Sequence, residues 1–336
     1  MRFLIVGCGS MGRRRARCLR KLGYDTIHAF DPRPDRRDAI ARESDVVTFG
    51  DIEHALDVGA DFVLICTPPH VHTPYLSLCI KSRIPMFCEA PLTLTLEDAD
   101  SVIAGAEASN VFIAPSCTYL HNRIHQDIKR LMDEGDFGLP LAAVSHVGQH
   151  AADWHPYEDY RDFYVSKRAQ GGMCFDMLPH ELHLFTHYFG SVRNLSCMAR
   201  KRSQHLLSDD GACDVYDILL DMSAGVSVVL HQDVVQRPWG EYRKIVCERG
   251  VIEWSWRSLR VSRYKGPQFL DAPEWETIPL PGYDFEDMYV AEVAHAIDAM
   301  RNGTPYLMPP RTERVILDLA LACEMSSTTG KHIAFD

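Results

Sequence analysis

Short apolar runs alternate with amphipathic stretches over about the first 115 residues of the chain. The runs Phe3–Val6 and Phe62–Ile65 are apolar throughout, which is typical of strands buried on both faces. The stretches between such runs, among them 33–42 and 73–82, predict helices. Strands that alternate with helices predict a doubly wound parallel sheet, whose ligands bind at the carboxyl ends of its strands.

The pattern changes beyond residue 118. An amphipathic helix is predicted at 123–134, and a second helix follows a glycine pair and ends near residue 189. The strands predicted next are joined in part by turn signals at 223–225 and 249–250, which indicate hairpins. These strands lie at 141–147, 192–202, 215–222, 226–234, 242–248 and 251–256. Two helices, 285–301 and 311–328, are predicted to finish the chain, and we expect two domains, 1–117 and 118–336.

The first strand leads directly into a glycine turn and a helix. The turn has the spacing Gly7-x-Gly9-x-x-Gly12, and Asp31 ends the next apolar run 19 residues after Gly12. In a dinucleotide site, such glycines allow a tight turn, close approach of the pyrophosphate and close packing of the helix, and the acid binds ribose hydroxyls. This context favours a dinucleotide site, at Gly7, Gly9, Ser10, Met11, Gly12, Asp31 and Arg33, over a purely structural turn.

Two further strand ends carry polar residues. The segment 66–72 places Thr67, Pro68 and His72 after one buried strand, where a plain proline turn is the alternative. Glu89 follows the next strand, and a carboxylate there is costly unless it has a partner or faces a ligand. All four residues are predicted to contribute to the cofactor site.

The formal net charge of −11 argues against a nucleic-acid partner, because such proteins usually present a basic surface. The basic run 13–15 is expected to face solvent or cofactor phosphates. No apolar run approaches the ~18 residues of a membrane span. The eleven cysteines include no C-x-x-C pair and many lie in apolar runs, which indicates reduced thiols. We therefore expect a cytoplasmic protein.

The helix after Gly171-Gly172 carries Asp176, His180, His183 and His187 at positions that share one face. A histidine beside a carboxylate can move a proton near neutral pH. Two other interpretations remain: His180 is a core histidine, or the histidines bind a metal. The string 180–183 departs from the H-E-x-x-H zinc motif, because Leu184 occupies the second ligand position, and no metal is expected.

Three segments together resemble the Gfo/Idh/MocA family of NAD(P)-dependent oxidoreductases: GCGSMG at 7–12, TPPHVH at 67–72 and CEAPLT at 88–93. The resemblance implies a Rossmann domain followed by a substrate-binding and oligomerisation α/β domain with a large open, mostly antiparallel sheet. It also implies a sugar-like substrate and, by matching positions, catalytic roles for Asp176 and His180. Family members associate through this sheet, so a homodimer or homotetramer is expected.

The chain departs from the family pattern at three places. Ala90 replaces a lysine that bridges cofactor and substrate, His183 replaces an aspartate, and an arginine expected after the last Rossmann strand is replaced within 118–121. Alanine has no proton to give, so either His180 works alone or another group, such as Lys167, Arg161 or His183, enters the site.

The segment 153–164 is dense in aromatic and charged residues, which suits a loop over a polar ligand. A packed surface loop is the alternative. The predicted substrate contacts are Trp154, His155, Tyr160, Arg161, Lys167 and His183.

The expected activity is hydride transfer between nicotinamide and a secondary alcohol or ketone of a sugar-like, including a nucleotide-linked, substrate. NAD is the expected cofactor because Asp31 repels a 2′-phosphate, while Arg33, Arg36 and Arg37 keep NADP as an alternative. Two other hypotheses stay open. Ala90 favours a homologue that has lost catalysis and acts as a sensor or partner protein. The resemblance also leaves room for a lyase or hydrolase that uses bound NAD transiently, as some family members do.

Overall fold

The computed structural model describes residues 1–154, 159–203, 211–266 and 272–335. The chain forms two compact units, Met1–Thr118 with Glu286–Asp318 and Tyr119–Phe285 with Leu319–Asp336. The chain first passes from one unit to the other between Thr118 and Tyr119, one residue from the boundary expected at 117/118. The chain then returns to the first unit at Glu286, a return that the division into two consecutive domains did not include.

The first unit contains a six-stranded sheet in the order β3-β2-β1-β4-β5-β6, and all its strand pairs are parallel. This confirms the predicted doubly wound sheet. The strands are β1 (Phe3–Val6), β2 (Ile27–Phe30), β3 (Val47–Phe49), β4 (Phe62–Ile65), β5 (Met86–Cys88) and β6 (Ile113–Pro115). Strands β1 and β4 are buried at every position, as their unbroken apolar sequences require.

Helices cover both faces of this sheet, and a separate apolar cluster fills the space on each side. The cluster that contains Leu19 also contains Val293 and Ile297, so the returning segment completes the core on that side. The helices are α1 (Ser10–Lys21), α2 (Pro34–Ser44), α3 (Ile52–Asp57), α4 (His72–Lys81), α5 (Leu96–Ser109), α8 (Asp287–Asn302) and the first part of α9 (Pro310–Thr329). Thr95 caps the N-terminus of α5, where its side chain accepts a hydrogen bond from the Asp98 N–H at 3.1 Å.

The second unit contains a nine-stranded sheet in the order β14-β13-β12-β11-β7-β10-β9-β8-β15. Only β7 and β10 pair in parallel among its described strands, which confirms the predicted open, mostly antiparallel sheet. The strands are β7 (Pro140–Gly148), β8 (Val192–Arg200), β9 (Val215–Met222), β10 (Ser227–Asp233), β11 (Gly240–Cys247), β12 (Gly250–Ser255), β13 (Ser258–Arg263), β14 (Glu276–Thr277) and β15 (Ile333–Ala334).

Helix α7 (Gly172–Phe189) lies on one face of this sheet, where Gln232 of β10 donates a hydrogen bond to the carbonyl of Met177 at 3.2 Å. The unit also contains α6 (Arg123–Asp133). The opposite face of the sheet exposes apolar side chains, among them Val144, Leu219 and Val229. Within the part of the chain that the structure describes, no helix has the length and apolar character needed to cross a membrane.

Candidate active site

The glycine turn of the first unit has a geometry that side chains would disrupt. Gly7 has φ +98°, and a Cβ there would lie 2.8 Å from the carbonyl oxygen of Cys66. A Cβ on Gly12 would lie 1.9 Å from the carbonyl oxygen of Gly7, so α1 can approach β1 this closely only with glycine. Above Gly9, the nearest atom to such a Cβ is a guanidinium nitrogen of Arg36 at 3.7 Å, which leaves room for a pyrophosphate.

The N-terminus of α1 suits an anion. Its first residues are Ser10 and Met11, no side chain caps the preceding Gly9, and the first turn contains no acidic residue. The first N–H groups of the helix and its positive dipole end therefore point toward the turn without a competing carboxylate. This arrangement fits the phosphates of a dinucleotide.

Asp31 stands at the carboxyl end of β2, as predicted. Its two carboxylate oxygens accept hydrogen bonds from the backbone N–H groups of Cys8 at 2.8 Å and Arg33 at 2.9 Å. Each oxygen keeps a further lone pair for a ribose hydroxyl. Burial, together with the nearby Asp31, raises the pKa of the Cys8 thiol to about 12, so Cys8 stays neutral beside this carboxylate.

The arginines after β2 are engaged within the unit. Arg33 forms a salt bridge with Asp35 at 2.6 Å, and Arg37 donates hydrogen bonds to the carbonyl oxygens of Asp31 and Pro32 at 2.7 and 3.1 Å. These contacts favour a ribose over a 2′-phosphate, because Arg33 and Arg37, which could balance the phosphate charge, already have partners.

Glu89 has a partner that the sequence interpretation missed. Arg15 is fully buried, and its guanidinium bonds both Glu89 oxygens, at 2.6 and 3.0 Å, and Glu292 at 2.7 Å. The expectation that the basic run at 13–15 faces solvent or phosphates is therefore wrong for Arg15. The two carboxylates raise the pKa of Arg15 well above its ordinary value despite its burial, so the guanidinium is permanently charged. Direct contact of Glu89 with a cofactor stays a prediction.

His72 is fully buried, and its ring lies between the carbonyl oxygens of Thr67 at 2.7 Å and Pro91 at 3.0 Å. Burial lowers the pKa of His72 below its ordinary value. With no exposed surface, the ring holds the ends of β4 and β5 together, which corrects the direct cofactor contact expected for it. Thr67 and Pro68 are half-buried at the same strand end.

The second unit places Asp176 in the first half of α7, where the Tyr164 hydroxyl donates a hydrogen bond to its carboxylate. Burial raises the pKa of Asp176 to about 6, while the Tyr164 hydrogen bond lowers it. The carboxyl therefore titrates near neutrality, which is typical of groups that exchange protons. Tyr164 was not among the predicted residues, although it lies in the aromatic segment that the sequence analysis singled out.

His180 lies one turn further along α7, and its ring stacks on Tyr119 with centroids 4.8 Å apart and planes 22° apart. The Tyr119 carbonyl accepts a hydrogen bond from Nδ1 of His125 at 2.9 Å, and its ring packs edge-on against Trp256. Burial and the charge of Arg243 lower the pKa of His125 to about 3, so the imidazole that holds the Tyr119 backbone is uncharged. The 118–121 stretch thus supplies an aromatic ring against His180 where the family pattern has an arginine.

A buried ion network lies under this aromatic pair. Arg243 bonds Glu181 and Glu241, and its guanidinium lies 4.9 Å from the centroid of Trp256 and 5.8 Å from that of Tyr119. Glu181 also accepts a hydrogen bond from Ser145 at 2.8 Å. Glu181 is buried and therefore serves as the ion-pair partner of Arg243. Sequence reasoning missed Arg243, because its partner Glu181 is 62 residues away in the chain.

The histidines of α7 share a helical face but have different surroundings. His183 is fully buried, with its ring edge-on to His180 at 6.3 Å, whereas His187 is exposed at the end of the helix. Burial and nearby Lys129 lower the pKa of His187. Among the described residues, none of these three histidines belongs to a cluster that could hold a metal ion. Complete burial of His183 also argues against its predicted contact with substrate.

The described loop side chains that were predicted to contact substrate form hydrogen bonds or ion pairs with residues close to them in the sequence. Trp154 donates a hydrogen bond to the carbonyl of Gln149 at 3.1 Å, Lys167 to that of Asp162 at 3.3 Å, and Arg161 pairs with Asp159 at 3.1 Å. Arg161 also lies over the ring of Tyr160, 4.9 Å from its centroid. His155 lies outside the described residues. Roles of these side chains in substrate binding stay predictions.

Models of two domains of one oxidoreductase family match most of the chain. The N-terminal model, described as "Oxidoreductase family, NAD-binding Rossmann fold", matches residues 1–116, and the GFO/IDH/MocA C-terminal domain model matches residues 125–253. The chain belongs to the Gfo/Idh/MocA family. Its first unit is therefore the NAD-binding Rossmann domain of that family, as the sequence resemblance predicted.

Individual relatives are distant. The chain is 21% identical over 346 residues to the scyllo-inositol 2-dehydrogenase (NAD(+)) of Bacillus subtilis, covering all of this chain and 96% of the relative. It is 26% identical over 191 residues to the 2,7-anhydro-N-acetylneuraminate hydratase of Escherichia coli, covering 56% of this chain and 49% of the relative. A solved structure of levoglucosan dehydrogenase in complex with NADH and levoglucosan matches at TM-score 0.85 and 14% identity, covering 99% of both chains, which shows the shared fold.

Proposed function

We propose that the protein is an NAD-dependent oxidoreductase that transfers hydride between nicotinamide and a secondary alcohol or ketone of a sugar-like small molecule, with nucleotide-linked sugars included in this class. The observation that carries the proposal is the oriented Asp31 carboxylate beside an uncapped helix N-terminus in a family NAD-binding domain. The names of the inositol and levoglucosan relatives support a polyol or sugar substrate.

The proton that accompanies hydride loss needs an acceptor. When bound, NAD supplies the hydride acceptor, and we assign the proton of the substrate hydroxyl to His180. The stack on Tyr119 orients the His180 ring, and Asp176, one turn earlier on α7, orients His180 or the substrate. With alanine at position 90, the matched family positions that carry a titratable group for this step are His180 and Asp176.

The substrate class must be identified before the proposed activity can be measured. Mass spectrometry of small molecules that copurify with the protein should identify a dinucleotide and a polyol or sugar. Inositols, anhydrosugars and nucleotide-linked sugars are then supplied with NAD, and NADH formation is followed by absorbance. His187→Gln, on the exposed end of the same helix, is the matched control for His180→Gln. Full turnover by His180→Gln would remove His180 from the mechanism.

A lyase or hydratase that uses bound NAD transiently is the second candidate. Two observations favour it: Ala90 in place of the family lysine, and the hydratase among the relatives. The two candidates differ in net cofactor turnover, because only the oxidoreductase accumulates NADH in proportion to product. Product formation without NADH accumulation would therefore support the second candidate. A protein that binds NAD(H) but converts no substrate of either class would support a sensor.

A further inference from the structure

The open face of the nine-stranded sheet holds a cluster of histidines and carboxylates outside the proposed active site. His146 of β7 pairs in register with His231 of β10, and His231 pairs with Asp217 of β9. The two imidazole rings are stacked, with centroids 4.6 Å apart and planes 12° apart. Asp233 lies two residues beyond His231, on the same face. Three neighbouring strands thus bring two imidazoles and two carboxylates together.

Outer hydrogen bonds orient both imidazole rings. Nδ1 of His231 lies 2.7 Å from an Asp217 oxygen and Nε2 lies 3.2 Å from Oδ2 of Asp233, and these hydrogen bonds raise the pKa of His231 to about 9. A metal ion at Nε2 therefore replaces the proton shared with Asp233, while Nδ1 keeps its proton and donates it to Asp217. The Gln236 amide donates its N–H to the carbonyl of Pro238 at 3.2 Å, so its oxygen faces Nε2 of His146 at 2.7 Å. Nε2 of His146 is therefore the donor, and Nδ1 holds the lone pair. Metal-binding histidines are oriented by the same kind of outer acceptor.

The two carboxylate oxygens of Asp233 have different hydrogen-bond partners. Oδ1 accepts the backbone N–H groups of Val235 and Gln236 at 2.9 and 2.7 Å and so holds the turn after β10. Oδ2 lies 3.2 Å from Nε2 of His231. This contact is a hydrogen bond, and two ligands of one zinc ion with bonds of about 2.0–2.1 Å lie roughly 3.0–3.4 Å apart, so an ion can replace the shared proton at a similar separation.

Room for the cluster depends on a glycine. A Cβ on Gly148 would lie 2.4 Å from Oδ2 of Asp233 and 2.6 Å from the amide oxygen of Gln236. One ligand atom each from His146, His231 and Asp233 lies within 4.8 Å of the others. The side chain of His231 is 30% exposed, so water and ions reach the cluster from solvent.

We propose that His146, His231 and Asp233 form a binding site for a divalent transition-metal ion, with Asp217 and Gln236 as its outer hydrogen-bond partners. Two imidazoles and one carboxylate favour Zn²⁺, Co²⁺ or Ni²⁺ over Mg²⁺ or Ca²⁺, which prefer oxygen ligands. The ligand atoms are Nδ1 of His146, Nε2 of His231 and Oδ2 of Asp233, and water completes the coordination. The site uses none of the residues proposed for hydride or proton transfer.

The test titrates ZnCl₂ into the full chain after dialysis against a chelator, with isothermal calorimetry as the measurement. We expect about one Zn²⁺ per chain, and Asp217→Asn should weaken binding about 10–100-fold through its effect on His231. The double variant His146→Gln, His231→Gln should lose this binding event. The matched control is His54→Gln, an exposed histidine of the first unit, and it should bind as the unaltered chain does. Co²⁺ should show the visible absorption of a nitrogen- and oxygen-ligated ion.

Equal Zn²⁺ uptake by the double variant and the unaltered chain would overturn the proposal, and so would no uptake by the unaltered chain. Asp233→Asn is a second variant, because the Asn oxygen still accepts the two N–H bonds of the turn while the charge is lost. Unchanged binding in that variant, with circular dichroism showing an intact fold, would also place the ion elsewhere.

Discussion

The carboxylate of Asp31 is oriented by two backbone N–H groups, one on each oxygen. The sequence predicted the position of Asp31 at the end of β2, because local chain geometry sets it, whereas the two N–H donors became visible only in the structure. Arg15, Tyr119 and Arg243 were not predicted as site residues, since each acts through partners that are remote in the sequence. Long-range pairing of this kind leaves no periodic or local signal.

Cofactor choice follows from Asp31. We expect NADH to bind at least about tenfold more tightly than NADPH, a difference of about 1.4 kcal/mol, because the carboxylate repels a 2′-phosphate. Asp31→Ser should reduce this preference. Fluorescence titration with both reduced cofactors measures this preference, with Asp57→Ser, an exposed residue at the end of α3, as the control. Tighter binding of NADPH to the unaltered chain would contradict the assignment.

Proton transfer should depend on His180. His180→Ala should lower kcat by about 10²–10⁴, the usual contribution of a general acid or base, while the affinity for NADH stays nearly unchanged. Steady-state kinetics with the identified substrate, together with cofactor titration, separates the two effects. Turnover close to that of the unaltered chain would direct attention to the loop near Lys167.

The pH dependence of the free energy of unfolding should reflect the titration of Asp176. The folded pKa is raised to about 6, above an unfolded value of about 3.9. The folded protein therefore binds more protons than the unfolded chain between these values, and this group's contribution to stability falls as pH rises through that window. Tyr164→Phe removes a hydrogen bond that lowers the pKa, so the fall should extend to higher pH. Urea unfolding at several pH values measures it, with Tyr75→Phe as control. An unchanged profile would mean that the hydroxyl does not act on Asp176.

The positions of the strands were predicted better than the way in which the strands pair. Strands β1 and β4 of the first sheet and strands β7 to β12 of the second were predicted from apolar runs and turn signals, with shifts of a few residues at their ends. Strands β13, β14 and β15 were not predicted. Strands β14 and β15 contain only two residues each, and β13, which is as long as β12, gains its backbone partners only from β12 and β14. The parallel pairing of β7 with β10 was also beyond prediction, since it joins strands that are remote in the chain.

The contact between α1 and β1 should be sensitive to one methyl group. Gly12→Ala places a Cβ where the Gly7 carbonyl lies, so α1 must move away from the strand, and NADH affinity should fall at least about tenfold because the phosphates lose the helix N-terminus. Gly105→Ala in α5 is the control, since its Cβ would meet Ile80 at an ordinary 3.6 Å. Retained affinity in Gly12→Ala would argue against a phosphate site at this turn.

At the scale of the whole molecule, the expected association through the open sheet stays a prediction. Val144, Val229 and Leu219 are neighbours across β7, β10 and β9, and each is at least 37% exposed. Such a patch is usually covered in an oligomer. Light scattering should show a dimer or larger assembly at micromolar concentration, and Val229→Glu should yield monomers, whereas Val47→Glu on β3 should not. A monomeric unaltered chain would contradict the prediction.

The return of the chain to its first unit at Glu286 has a consequence for how the protein is made. Glu292 neutralises Arg15 and accepts bonds from Ser116, Cys117 and Thr118, yet the ribosome adds it about 175 residues after those partners. The nascent Rossmann unit therefore lacks one carboxylate for its buried cation, and one flank of its core stays uncovered, while strands β7 to β14 of the second sheet are synthesised. Domains usually fold in the order of synthesis. Here the unit that begins first can be completed only after residues 119–285 of the other unit have been made.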